Sequence, residues 1–148
     1  LPRPRSDNRA VHTLHIATAC IFNAAQELLV VRKRGTSKWM LPGGKLDHGE
    51  TPAQALVREL HEELRVRLSR ADLQALGHFQ ASAANEVDTQ VSAHAFVATL
   101  PSGQTVQIAA EIEALDWKPL DALQSDQVAP LLRQHIVPAL RQVGPHAR

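Results

Sequence analysis

The chain has 148 residues, a length that suits one domain with a buried core, and a formal net charge of +1, which gives no electrostatic reason to bind nucleic acid or an anionic membrane. A single Cys, Cys20, excludes an internal disulfide and fits a reducing compartment; it lies in an apolar run and reads as buried filler, not a reactive thiol. No apolar stretch approaches the length of a membrane span and no signal peptide opens the chain, so a cytoplasmic location is expected, although the first residue, Leu1, is compatible with a trimmed leader.

Residues 1–10, rich in Pro and Arg, should be a loose N-terminal segment. From Val11 to Phe22, β-branched residues predict a first strand, and after a turn Leu28 to Val31 predict a second, buried one. Arg32, Lys33, Arg34 and Lys38 then form a basic loop around Gly35, which is either simply solvated or placed to contact a polyphosphate. Met40 to Pro42 should be a short strand entering the Gly43-Gly44 turn, with Trp39 a packing residue more than a base-stacking one. A helix follows. After a turn at Ser69–Leu73, two strands are expected at Leu73–Ala84 and Val91–Leu100, joined by a polar loop with Asn85, Glu86 and Asp88. Pro101-Ser102-Gly103 marks a turn, and short strands should follow at Gln104–Ile108 and Glu113–Lys118. Asp121 to Val143 reads as mainly helical, with Pro138 kinking or ending the helix. The eight His residues are scattered without metal-ligand spacing, which argues against a zinc site, and the absence of Tyr leaves few rings to stack on a base. Strands around one central helix, then a terminal helix, suggest an α/β fold with a mixed sheet covered on both faces.

The helix near the middle carries the chemistry. Thr51 is a good N-cap, Pro52 suits the first helical position, and Gln54 completes a capping box. Ala53, Leu56, Val57, Leu60 and Leu64 recur at helical spacing as a buried stripe. At about 100° per residue, Glu59, Glu62 and Glu63 fall in one arc of roughly 100°, centred about 120° from that stripe. Such a cluster can be a solvated face, with Arg58 and Arg67 as partners four residues from Glu62 and Glu63. Yet Glu59 has like charges three and four residues on, each pair costing about 0.2–0.5 kcal/mol. A divalent cation turns that repulsion into attraction, and hard cations take oxygen ligands from carboxylates and phosphates. The Gly-Gly turn in front, where the backbone can approach a ligand closely, favours metal binding.

The stretch from Trp39 to Val66, WMLPGGKLDHGETPAQALVRELHEELRV, closely resembles the signature of the Nudix (MutT-like) hydrolases. Gly44 is followed after five residues by Glu50, and after seven more by Arg58, Glu59, Leu60, Glu62, Glu63 and, past Arg65, Val66. One position departs: Arg65 stands where the family has Gly. That Gly usually closes the helix in a left-handed conformation, which costs another L-residue roughly 1–2 kcal/mol, so the helix is expected to run on toward Leu68.

The resemblance implies an α/β/α sandwich with a mixed sheet, a single Nudix hydrolase domain over residues 11–148, and Mg²⁺-dependent hydrolysis of a nucleoside diphosphate linked to another group, with Mn²⁺ as an alternative ion. Matching positions imply Glu59, Glu62, Glu63 and the Gly43 carbonyl as metal ligands, and Glu50 with Arg58 as a brace between loop and helix. Arg32, Arg34, Lys38 and Lys45 flank the same turn as candidate phosphate contacts. The general base is either Glu59 or an acid outside the signature, with Glu111 and Glu113 ranked ahead of Asp116 and Glu86. Markers of the ADP-ribose, dinucleoside polyphosphate and NADH subfamilies are missing, which leaves a nucleoside triphosphate cleaved to monophosphate and pyrophosphate. The alternatives are a nucleotide-binding module without turnover and a hydrolase of another nucleoside diphosphate derivative, such as a nucleotide sugar. The expected partner is a small nucleotide, with neither stable nucleic-acid binding nor a membrane; monomer and homodimer stay open.

Overall fold

The computed structural model describes residues 12–83 and 87–144. Strand β1 (His12–Cys20) is central to a four-stranded sheet. It pairs in parallel with β5 (Thr89–Ala98) and antiparallel with the short β3 (Gly43–Lys45), while β4 (Leu73–Ser82) runs antiparallel to β5, giving the order β3-β1-β5-β4. Strands β2 (Leu28–Lys33) and β6 (Ile112–Lys118) form an antiparallel pair. The pair is stitched to the end of β1, where the Leu29 N–H donates to the Ile21 carbonyl at 2.9 Å and Phe22 bridges to Leu28.

The period-2 alternation of a strand sends neighbouring side chains to opposite faces, and here each face has its own apolar core. Ala17, Ala19, Ile21, Leu29 and Val31 pack with Leu56, Leu60 and Leu64 of helix α1 (Pro52–Leu64). Cys20, Leu28 and Val30 point the other way, into a core closed by Leu132, Ile136 and Leu140 at the C-terminal end of the chain. The result is the expected α/β/α sandwich around mixed strands. Among the described residues no helix is long and apolar enough to cross a membrane.

Helix α1 starts as anticipated: Thr51 accepts from the Gln54 N–H, and the Gln54 side chain accepts from the Thr51 N–H. Its buried arc differs. Ala53 and Val57 are only half-buried, whereas Ala55 and Glu63 are buried. The arc is rotated toward the acidic side because β3 packs there, and a strand of glycines has no side chains to hold the helix off.

Other expectations are corrected. The short strand before the helix is the Gly-Gly-Lys run itself, not Met40–Pro42, although Met40 does bridge to Val31. Helix α1 stops at Leu64, and Arg65 takes the left-handed conformation (φ 60°, ψ 28°). Gln104–Ile108 is no strand: it lies against the end of α1, where the Gln107 and Ala109 N–H groups donate to the carbonyls of Leu64 and Glu63 at 2.9 and 3.0 Å. Those carbonyls have no partner within the helix, so the segment caps it. The Gln104 side chain adds a two-way amide clasp to the backbone of Arg67, at 2.7 and 2.9 Å.

After β6 only a 3₁₀ turn, Leu120–Ala122, precedes the final helical segment. That segment is a π-helical stretch, Leu131–Ile136, running into α2 (Val137–Val143). The Val137 N–H reaches the Leu132 carbonyl, five residues back. A Pro in a regular α-helix lacks the N–H and crowds the carbonyl four residues earlier. The effect of Pro138 is thus a change of helical register just ahead of it, and the helix continues to Val143.

Candidate active site

Two glycines set the approach of β3 to α1. Gly43 has φ +139°, and a Cβ there would lie 2.1 Å from the Ala17 carbonyl oxygen. A Cβ on Gly44 would lie 2.5 Å from the carboxyl carbon of Glu59. Their absence lets two carboxylates of α1 come up to the strand. The Glu63 Oε1 accepts from the Gly43 N–H at 3.2 Å, and Glu59 lies against Gly44.

Glu63 is 2% exposed, and its second oxygen, Oε2, is buried without a hydrogen bond among the described residues. Burial, reinforced by the neighbouring Glu59 charge, pushes its carboxyl up to about 7, against the pull of the Lys33 ammonium and the Gly43 N–H. Lys33, expected only as one residue of a basic loop, lies in β2 and enters the centre of this site. Its Nζ lies 3.4 Å from Glu63 Oε2, 3.3 Å from the Gly43 carbonyl oxygen and 3.9 Å from Glu111 Oε2. The register of β2 on β6 shifts between Arg32 and Lys33. Such a bulge re-aims a side chain, and no residue pattern within Arg32-Lys33-Arg34 announces it.

Arg58 organises the other carboxylates. Its guanidinium makes a two-pronged bond to Glu50, at 2.8 and 2.9 Å, and donates to Glu59 at 3.0 Å, to Glu62 at 3.3 Å and to the Lys45 carbonyl at 3.1 Å. The hydrogen bonds from Arg58, chiefly, hold the Glu50 carboxyl down at about 2. Glu50, and after it Glu59, in turn raise the guanidinium. Paired by Arg58 and Lys33, the acidic groups are spread apart: among the described residues no three His, Cys, Asp or Glu side chains already converge on one point.

A cavity of about 560 Å³ opens beside these groups. Lys33, Gly43, Gly44, Lys45, Glu59 and Glu111 line its charged end. The remainder is largely aliphatic, with Leu14, Ile16, Met40, Val91, Leu131 and Leu132 in the wall and, among the described residues, no aromatic ring. Thr18 also lines it, its buried Oγ1 without a hydrogen-bond partner among the described residues; in the sequence it was only one β-branched residue of a strand.

The other basic candidates divide. Lys45 lies at the cavity. Arg32 stacks on Trp39 (5.1 Å to the ring centroid) and pairs with Glu113 at 3.5 Å, and Lys38 bonds the Asp126 carbonyl, around a separate open hollow. Arg34 is exposed and lines neither. Among the extra acids, Glu111 faces the site while Glu113 lies in the hollow with Arg32 and Asp116 pairs with Lys118 at 3.2 Å. Glu86 lies outside the described residues.

A sandwich that brings a glycine strand and an arginine-braced acidic helix to the mouth of one cavity is built to handle anionic phosphate chemistry. The NUDIX domain family model matches residues 13–140. A putative 8-oxo-dGTP diphosphatase of Bacillus subtilis is 30% identical over 101 residues, 68% of this chain and 63% of the relative. An uncharacterized Nudix hydrolase of the same bacterium, YvcI, is 26% identical over 117 residues, 79% of this chain and 73% of that one. The crystal structure of a MutT protein from Methanosarcina mazei superposes with a TM-score of 0.75 at 20% identity, covering 90% of this chain and 97% of its own. The chain belongs to the Nudix family and is a Nudix hydrolase, a pyrophosphohydrolase acting on phosphoanhydrides.

Proposed function

We propose that the protein hydrolyses a (deoxy)nucleoside triphosphate to the monophosphate and pyrophosphate, aided by Mg²⁺ or Mn²⁺. The observation that carries this reading is the buried Glu63 carboxylate, whose Oε2 has no hydrogen bond and only the Lys33 ammonium at 3.4 Å, behind Lys33 and Gly43 at the charged end of a cavity with room for a nucleoside. The Gly43 carbonyl, Glu59, Glu62 and Glu63 offer only oxygen donors, the set that hard divalent cations take, and the orphan Oε2 is what such an ion would satisfy. Bound there, the ion would neutralise phosphate oxygens and lower the pKa of the attacking water.

The chain's own groups would do the rest. Arg58, held by Glu50, keeps Glu59 and Glu62 in place and ties α1 to the loop before it. Lys45 would balance charge on the distal phosphates, and the aliphatic wall would take the nucleoside. Of the described acids outside the signature, Glu111, which lines the cavity, would accept a proton there. The 30% identical relative named for 8-oxo-dGTP supports a triphosphate as substrate. In this reading residues 11–148 work as one domain.

The test is a panel of nucleoside triphosphates, nucleotide sugars and phosphomonoesters with Mg²⁺ or Mn²⁺, run in oxygen-18 water. Pyrophosphate release, with label on one product phosphate, is expected. Glu63→Gln should lower the rate by about a hundredfold or more, as for other lost electrostatic contacts to a reacting centre, with an unchanged circular dichroism spectrum. Rapid monoester cleavage without anhydride cleavage, or full turnover in Glu63→Gln, would overturn the reading.

A further inference from the structure

The Lys33 ammonium touches the Gly43 carbonyl and Glu63 Oε2, two of the oxygens proposed to hold the metal, and approaches Glu111 beyond them. We infer that Lys33 is an internal substitute cation: it fills the metal position in the metal-free enzyme and must leave when the ion binds. The inference rests on the metal reading above and adds to it a competitor within the chain.

Three observations carry it. First, a carboxylate as buried as Glu63 needs a countercharge, and one removed from its partner is strongly destabilising. Lys33 is the cation the fold provides there; Arg58 is bonded to Glu50, Glu59 and Glu62. Second, the fit is loose. Charge-assisted N–H···O bonds run at about 2.7–2.9 Å, whereas the contacts to the Gly43 oxygen and Glu63 Oε2 are 3.3 and 3.4 Å. Third, the ammonium has somewhere to go. Lys33 is the last residue of β2, its side chain is 22% exposed and lines the open cavity, and Glu111, 3.9 Å away and 63% exposed, lines the same cavity. Rotation of the stem toward Glu111 or a substrate phosphate would clear Gly43 and Glu63 without moving the backbone.

Substitution by Met removes the charge and keeps most of the stem. If Lys33 occupies the position in about nine of ten metal-free molecules, its removal tightens Mg²⁺ binding about tenfold. The experiment is calorimetric titration of Mg²⁺, and separately of Mn²⁺, into the wild-type chain, Lys33→Met and Lys45→Met, with thermal melts with and without Mg²⁺. Lys33→Met should melt lower without metal, bind Mg²⁺ more tightly, and gain more from it in melting temperature. Lys45→Met, which removes the same charge from the same cavity without touching Gly43 or Glu63, should bind Mg²⁺ only slightly better. Equal gains in both variants, or no gain in Lys33→Met, would overturn the substitution while leaving the metal site standing. Absence of Mg²⁺ and Mn²⁺ binding in all three chains would instead remove the metal reading, and this inference with it. A measurement on the unmutated chain guards against misfolding of the variant: the ammonium ¹H–¹⁵N signal of Lys33 should be observable without Mg²⁺ and change in step with saturation. A signal indifferent to saturating Mg²⁺ would also overturn the inference.

Discussion

Glu50 and Glu63 are both carboxylates of one signature, and their surroundings push them in opposite directions. Glu50 accepts two bonds from a guanidinium and one from the Asp47 N–H, and is held at about 2; Glu63 is driven up by burial. For Glu50 the sign follows directly. A folded-state value below the unfolded one means that its contribution to stability is present above about 4.5 and is lost as pH falls through that value toward 2. Carboxyl NMR titration should place Glu50 near 2, and in Arg58→Ala return it toward the usual carboxylate range; a Glu50 that ignores the loss of Arg58 would show that the brace is not electrostatic. The facing of Glu50 and Arg58 was legible from family likeness. The part of Lys33 was not, because it depends on a bulge formed with a strand some eighty residues later in the chain, and nothing local encodes that pairing.

At the scale of elements, the junction of β3 and α1 separates two glycines that look equivalent in sequence. Gly43→Ala sets a methyl against the backbone of Ala17 at a φ that L-residues avoid, so strand and fold must give; a loss of about 3 kcal/mol or more is expected from urea denaturation. Gly44→Ala meets first the flexible end of Glu59. It should cost about 1 kcal/mol or less while displacing that carboxylate and removing most metal-dependent activity. Similar stability losses in the two variants would contradict this division. The far end of α1 makes a complementary case. Arg65 ends the helix left-handed, so the strain that a longer helix would have avoided is present, and Arg65→Gly should raise stability by about 1 kcal/mol. An unchanged or lower urea midpoint would show that the Arg65 side chain contributes something the αL backbone alone does not. The start of α1 was readable because Thr51, Pro52 and Gln54 act within one turn. Its end was not, because the deciding N–H groups, those of Gln107 and Ala109, arrive from a distant segment.

Over the whole molecule, β1 and β2 feed both cores, so neither core can dissolve and leave the other intact. The two tryptophans sit on opposite sides of this division: Trp39 packs with the core beneath the C-terminal helix and Trp117 with the core beneath α1. Single-tryptophan variants, each with the other residue replaced by Phe, should therefore report coincident urea transitions, as expected for two-state unfolding of a small domain. Separated midpoints would mean that the halves unfold independently. The alternation that divides side chains between the cores is what made the sandwich readable: Leu28 to Val31 form one apolar run because both faces of that strand are covered.

The capping of α1 by the segment after Pro101 also bears on where this chain can be lengthened. Residues 101–103 form an exposed turn held mainly at its own ends, and extra residues there would loop into solvent at small entropic expense. Residues 107–109 look equally irregular, yet the N–H groups of Gln107 and Ala109 are spoken for by the carbonyls of Leu64 and Glu63. An insertion there would pull on the backbone of the very residue whose side chain sits beneath Gly43, and would shift Glu111 along with it. Two stretches a few residues apart in one connection are thus unequal sites for grafting a tag or a sensor domain: the first is a free margin, the second a hinge pin of α1.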